Sequence, residues 1–130
     1  MSQSEDALKA LATRYTDAWN SKDPAQVAQC HVASSRIVIN RGDPSVGHDG
    51  LTAMAAGFHA DVPDLNLTCD GIRRAGGHVV YLWTFTGHHV ETGNPLNVSG
   101  WEEWEVDDAL KITSSLGWFD AEDYERQVVG

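Results

Sequence analysis

Two acids fall where strands should be apolar. Side chains two residues apart along a strand share a face. By that parity Glu102 shares a face with Leu96, Val98, Trp104 and Val106, and Asp120 shares one with Leu110, Ile112, Ser114, Leu116 and Trp118. A carboxylate among apolar neighbours is desolvated, its pKa moves up towards neutrality, and it becomes suited to general acid or base work. Each acid also has a plainer reading. Asp120 precedes Ala121-Glu122-Asp123, the spacing of a helix N-cap. Glu102 could sit at the wet end of a strand or pair with an arginine. His59, near a helix end, and His88, near a strand end, are the histidines placed to assist. None of the six histidines stands in an HExxH arrangement. His88 and His89 are adjacent on a strand, so they point to opposite faces and do not share a metal in regular geometry. No metal site is expected. There is no GxSxG, no glycine-rich phosphate loop and no reactive-cysteine signature.

These residues need a sheet and something to cover it. Residues 78–120 read as three long strands joined by turns, and they hold four of the five tryptophans. Val79, Tyr81, Trp83 and Phe85 share one face of the first strand. Val80, Leu82, Thr84, Thr86 and His88 share the other. Both faces are largely apolar, so this strand is expected to be central and covered on both sides. Residues 65–74 alternate as a further strand, and Gly76-Gly77 predicts a two-residue hairpin between the two. Thr92 to Pro95 and Asp107-Asp108 supply the next turns. Arg36 to Asn40 is a short strand, followed by a loop over 41–48.

Helices come before the sheet. Leu8, Leu11, Tyr15, Ala18 and Trp19 recur at helical spacing and predict an amphipathic helix over 4–20, with a capping box from Ser2 and Glu5. Asp23 caps a short helix from Pro24 to His31. Asp49 is expected to cap a third helix, with Leu51, Met54, Ala55 and Phe58 on its apolar stripe. Pro63 stops it. A last helix spans Ala121 to Gln127. Helices segregated from antiparallel strands make an α+β fold. The N-terminal helices pack on a strongly curved, mostly antiparallel sheet. That sheet forms a cone with a pocket, walled by Tyr15, Trp19, Phe58, Trp83, Trp104 and Trp118.

Composition narrows the partners. The chain of 130 residues fits one domain, 1–130. Its net charge of −10 argues against nucleic acid and anionic membrane surfaces. Nine of its nineteen acids lie between Glu102 and Glu125, opposed there only by Lys111. No run approaches a membrane span. The polar N-terminus is not a signal peptide, so a cytoplasmic location is expected. Cys30 and Cys69 lack CxxC spacing and read as small apolar side chains in a reducing compartment. Trp101 shares a face with Asn97, Ser99, Glu103 and Glu105. A solvated tryptophan there would be costly, so a homodimer through the outer sheet face is expected.

The order of elements resembles the nuclear transport factor two-like, or cystatin-like cone, superfamily, and within it the SnoaL-like branch of polyketide cyclases. The resemblance rests on YTDAWNSKD (Tyr15–Asp23), Gly47 to Gly50, and Pro63-Asp64-Leu65. It continues in WTFTGH (Trp83–His88), VSG (Val98–Gly100) and Asp120 followed by Gln127. It implies that no cofactor is needed: a carboxylate helped by a histidine moves a proton next to a carbonyl. In the cyclases' last strand that acid sits in a Glu-His-Trp-Asp-like run. Here Thr113 to Leu116 align with it, and only Asp120 still matches. An epoxide-hydrolase-like Asp-Arg-Asp set would need an arginine in the pocket, and spacing selects none of Arg36, Arg73 and Arg74.

The expectation is a cofactor-free, SnoaL-like enzyme acting on a small apolar carbonyl compound. Asp120 or Glu102 is its base and His59 or His88 assists. The alternative is a non-catalytic binder or dimeric interaction module of the same fold, which the missing acid at Leu116 favours. A carboxylate–histidine pair in the pocket would mark the enzyme. Asp120 spent as a cap would favour the binder.

Overall fold

The apolar stripe read on the first helix is what holds it to the sheet. The computed structural model describes residues 5–130. Helix α1 spans Glu5–Asn20 and buries Leu8, Leu11, Ala12, Tyr15, Ala18 and Trp19. The proposed capping box involves Ser2, which lies outside the described residues. Helix α2 is Pro24–Gln29. Its N-cap Asp23 accepts a bond from the Ala25 backbone N–H, with proline at the first turn as the sequence predicts.

Strand β1 (Arg36–Ile39) is followed by a two-residue strand, β2 (Ser45–Val46), inside the segment read as a loop. Two residues carry no alternation, so the sequence gives no sign of it. β2 runs straight into helix α3 (Gly47–Asp61). Val46 therefore holds the N-cap position without a side-chain bond, and Asp49 sits inside the first turn. The expected cap is replaced by a charge that suits the positive end of the helix dipole. Gly47 makes the sharp entry possible at φ 73°.

Four long strands follow: β3 (Asn66–Ala75), β4 (His78–His88), β5 (Pro95–Val106) and β6 (Ile112–Phe119). The sheet is curved and open, with order β2-β1-β6-β5-β4-β3. All neighbours are antiparallel except β1 and β6, which run parallel. Ala75 pairs with His78 across the Gly76-Gly77 turn. Helix α4 (Ala121–Val129) closes the described chain.

β4 is central, between β3 and β5. Only one face is core: Val79, Tyr81, Trp83 and Phe85 are buried, while Val80, Leu82 and Thr84 stay half-exposed. The expectation of cover on both faces is therefore corrected.

β6 corrects a second expectation. Val106 pairs with Ile112, but Glu105 pairs with Ser114, so Thr113 is an extra residue that reverses the alternation. One such bulge flips every later side chain to the other face. Ser115 and Gly117, not Leu116, are buried on the core side. Trp118 stacks on Trp101, with ring centroids 6.3 Å apart.

Candidate functional site

The α1 helix and the inner face of β5 meet at Glu102. Inward positions on β5 are Leu96, Val98, Glu102 and Trp104, all buried. Glu102 lies between Tyr81 on β4 and Gly117 on β6. Its side chain is 7% exposed, and Tyr15 and Trp104 beside it are fully buried. The Tyr15 hydroxyl donates to Glu102 Oε1 at 2.6 Å. The Trp104 indole N–H donates to the same oxygen at 2.9 Å. Both bonds fall on Oε1, and neither uses Oε2. Ser115 Oγ lies near enough to favour the charge, though it makes no hydrogen bond of good geometry.

Burial pushes the Glu102 carboxyl above the ordinary glutamate range, and the Trp104, Tyr15 and Ser115 donors only partly oppose it. Burial, then the neighbouring Glu102 charge, drive the Tyr15 hydroxyl far upward, so it stays a protonated donor. Tyr81 stacks on Trp104 at 4.9 Å, and Tyr15 meets both rings edge-on. The rings fix the donors that hold the carboxylate.

Glu102 borders a cavity of about 50 Å³, partly open to solvent. That is room for a few water-sized groups. Its walls include Trp19, Met54, Phe58, Trp83, Phe85, Gly117 and Trp118, and Glu102 is the one ionisable residue among them. Trp19, Phe58 and Trp83 border this cavity, while Trp118 borders it from β6 with its ring stacked outward on Trp101. Tyr15 and Trp104 lie behind Glu102 instead of on the wall, and act on the cavity through it. Among the described residues no arginine lines it.

The other candidates sit elsewhere. Asp120 is exposed and accepts a bond from the Asp123 backbone N–H at 3.0 Å, so it caps α4. Replacing it with alanine should cost about 1 kcal/mol of stability and leave any chemistry at Glu102 unaltered. Denaturant unfolding and an activity assay on Asp120→Ala check both. His59 Nε2 donates to the Trp19 carbonyl at 2.9 Å and does not line the cavity. His88 is exposed and pairs with Asp64 at 2.6 Å. The described carboxylate–histidine pairs, His88–Asp64 and His78–Glu105, both lie on the exposed surface. His31, read as one histidine among six, is buried, bonded to Ser35 at 2.9 Å, and pulled down to about 4 by burial and then by His48. Among the described residues no group of three or more His, Cys, Asp or Glu is placed to hold a metal ion. No helix among them is long and apolar enough to cross a membrane.

The sequence model of the SnoaL-like domain matches residues 12–115. The chain belongs to the SnoaL-like domain family. That stretch includes the Tyr15, Glu102 and Trp104 cluster and ends before Asp120. No curated protein matches the sequence. Among solved structures, a hypothetical protein with a ketosteroid isomerase-like fold from Catenulispora acidiphila, in complex with trimethylamine, superposes with a TM-score of 0.84 at 20% identity, covering 92% of each chain. A candidate SnoaL-like polyketide cyclase from Jannaschia gives 0.84 at 14% identity, covering 98% of this chain and 96% of that one. An LEH-like epoxide hydrolase from M. tuberculosis gives 0.72 at 15%, covering 92% and 87%. At these identities the likeness is one of fold, and fold does not fix function.

Proposed function

We infer that this SnoaL-like protein is a cofactor-independent enzyme that moves a proton on a small apolar carbonyl compound, with Glu102 as the base. The observation that carries this reading is the buried Glu102 on the cavity wall. Its Oε1 is held by Tyr15 and Trp104, and neither bond uses Oε2. A desolvated carboxylate is a stronger base than one in water, and an apolar cavity suits a neutral substrate. The buried indole N–H of Trp83, a cavity-lining residue, makes no hydrogen bond among the described residues. An unmet donor of this kind supports a ligand that brings an oxygen. In the step, a C–H bond next to the carbonyl breaks, Oε2 takes the proton, and the electron pair moves onto the carbonyl oxygen. Return of the proton to carbon completes an isomerisation or exchange. The test is deuterium uptake next to the carbonyl of small ketones in heavy water, followed by proton NMR. Uptake no faster than in buffer contradicts the reading.

A second reading is a non-catalytic binder of a small organic cation. It is favoured by aromatic walls around a single carboxylate, the arrangement that recognises alkylammonium groups. The Asp120 cap and the lack of a histidine on the cavity among the described residues support it too. The Catenulispora neighbour is a trimethylamine complex. Tight binding of trimethylammonium chloride without ketone exchange would favour this reading.

We propose that the protein is a cytoplasmic homodimer. Cys30 and Cys69 are unpaired, which suits a reducing compartment. Trp101 and Leu116 are each 41% exposed, and Trp101 stacks on Trp118. This apolar outer patch supports a two-fold contact between sheets. Light scattering after size exclusion should give twice the chain mass at tens of micromolar. A monomer there contradicts the dimer.

A further inference from the structure

The cavity beside Glu102 has room for water-sized groups and little more. It measures about 50 Å³, whereas pockets for drug-sized ligands run from about 300 Å³ upward. A wall has to move before a larger molecule enters, and the helices differ in how firmly they are set. α1, α2 and α3 each bury apolar residues, while no residue of α4 is buried. Elements with little buried surface open most readily. A few polar bonds and a short apolar face, Tyr124 and Val128, hold α4 in place. β6 ends at Phe119, and its pairing with β5 starts at Gly100, so the β5 edge before Gly100 has no strand beside it. The Gln127 side chain takes that place. Its Oε1 accepts from the Asn97 backbone N–H at 2.7 Å, and its Nε2 donates to the Asn97 carbonyl at 3.0 Å. Asn94 Nδ2 donates to the Val128 carbonyl at 2.8 Å. The half-buried Tyr124 ring packs on Phe85 and Phe119, at centroid distances of 6.3 and 6.0 Å. Both phenylalanines line the cavity and pack in turn on Trp83. Tyr124 is not on the wall itself; it stands behind two residues that are.

We propose that α4 is a lid: it swings outward about its junction with β6, Phe85 and Phe119 lose their backing, and the cavity opens to admit a small organic molecule. The lid serves an enzyme and a binder alike, so it stands apart from the proton-transfer reading.

Trp83 reports the motion without any ligand. Its buried indole N–H makes no hydrogen bond among the described residues, so burial is what shields it from exchange with solvent. The Trp104 indole N–H is fully buried and bonded to Glu102, so it exchanges when the whole domain unfolds. In heavy water, nitrogen-15 NMR should show the Trp83 indole signal decaying faster than that of Trp104. Gln127→Ala removes the clamp on Asn97 and should speed Trp83 exchange about tenfold, which is what a pair of hydrogen bonds is worth in an opening equilibrium. Val27→Ala is the counterpart. Val27 is fully buried on α2 and does not line the cavity, so its contacts persist while the lid is open. That variant should speed Trp104 exchange and leave Trp83 exchange unchanged. An unchanged Trp83 rate in Gln127→Ala would mean that the cavity opens elsewhere, and overturns the lid. Equal acceleration of both indoles in Val27→Ala would mean that Trp83 is reached only by global unfolding, and overturns it too.

Discussion

Replacing Glu102 by glutamine removes ketone proton exchange. The expected loss is at least about a hundredfold, the lower end of what a positioned general base contributes. Glutamine keeps the volume, and its amide oxygen still accepts from Tyr15 and Trp104, so the fold should persist. What disappears is the basic oxygen. The wild-type rate should rise with pH through an apparent pKa above the ordinary glutamate value, because only the ionised form is a base. Stability moves the other way. The folded protein holds this proton more tightly than the unfolded chain does, since burial raises the carboxyl's pKa. Stability contributed by Glu102 is therefore full below the ordinary glutamate value and falls as pH climbs through the raised one. Glu102→Gln should lose both the rate and that decline. Exchange rates and denaturant curves across pH measure the two together. Wild-type exchange in the variant would remove Glu102 from the chemistry.

Trp104→Ala should cost about 3–5 kcal/mol, the range for emptying a large aromatic from a packed core. Trp104 has no exposed surface, stacks on Tyr81 and meets Tyr15 edge-on. Its loss opens a cavity and also removes one of the two donors on Glu102 Oε1. The remaining carboxylate is then less well satisfied, which adds to the cost. Urea unfolding monitored by far-UV circular dichroism reads this. A cost under about 1 kcal/mol would mean that the aromatic cluster is not the keystone of the site.

Long periodic elements were legible because their patterns repeat over many residues. The α1 stripe and the alternation of β4 and β5 reflect burial that residue order signals, and the exposed Gly76-Gly77 hairpin reflects turn chemistry. β2 was hidden because two residues have no period. The face of β6 was misread because one extra residue, Thr113, reverses parity without leaving a mark in the sequence. That single slip made Leu116 and Trp118 look inward and lent Asp120 an apolar setting it does not have. Glu102 was visible as an acid on an apolar face, since β5 keeps regular alternation up to Trp104. Its tyrosine partner was not, because Tyr15 is 87 residues away and only the packing of α1 on the sheet brings them together. Nor did spacing show that His59 and His88 each spend one ring nitrogen, on a backbone carbonyl and on Asp64.

The central claim is that Glu102 is a buried carboxylate held less acidic than an ordinary glutamate. Carbon-13 NMR of the glutamate side-chain carboxyls tests it directly, with the Glu102 signal assigned by its absence in Glu102→Gln. The account predicts a titration midpoint clearly above the ordinary glutamate value of about 4.3. A midpoint at or below that value would show a solvated or strongly paired carboxylate, and would contradict the account.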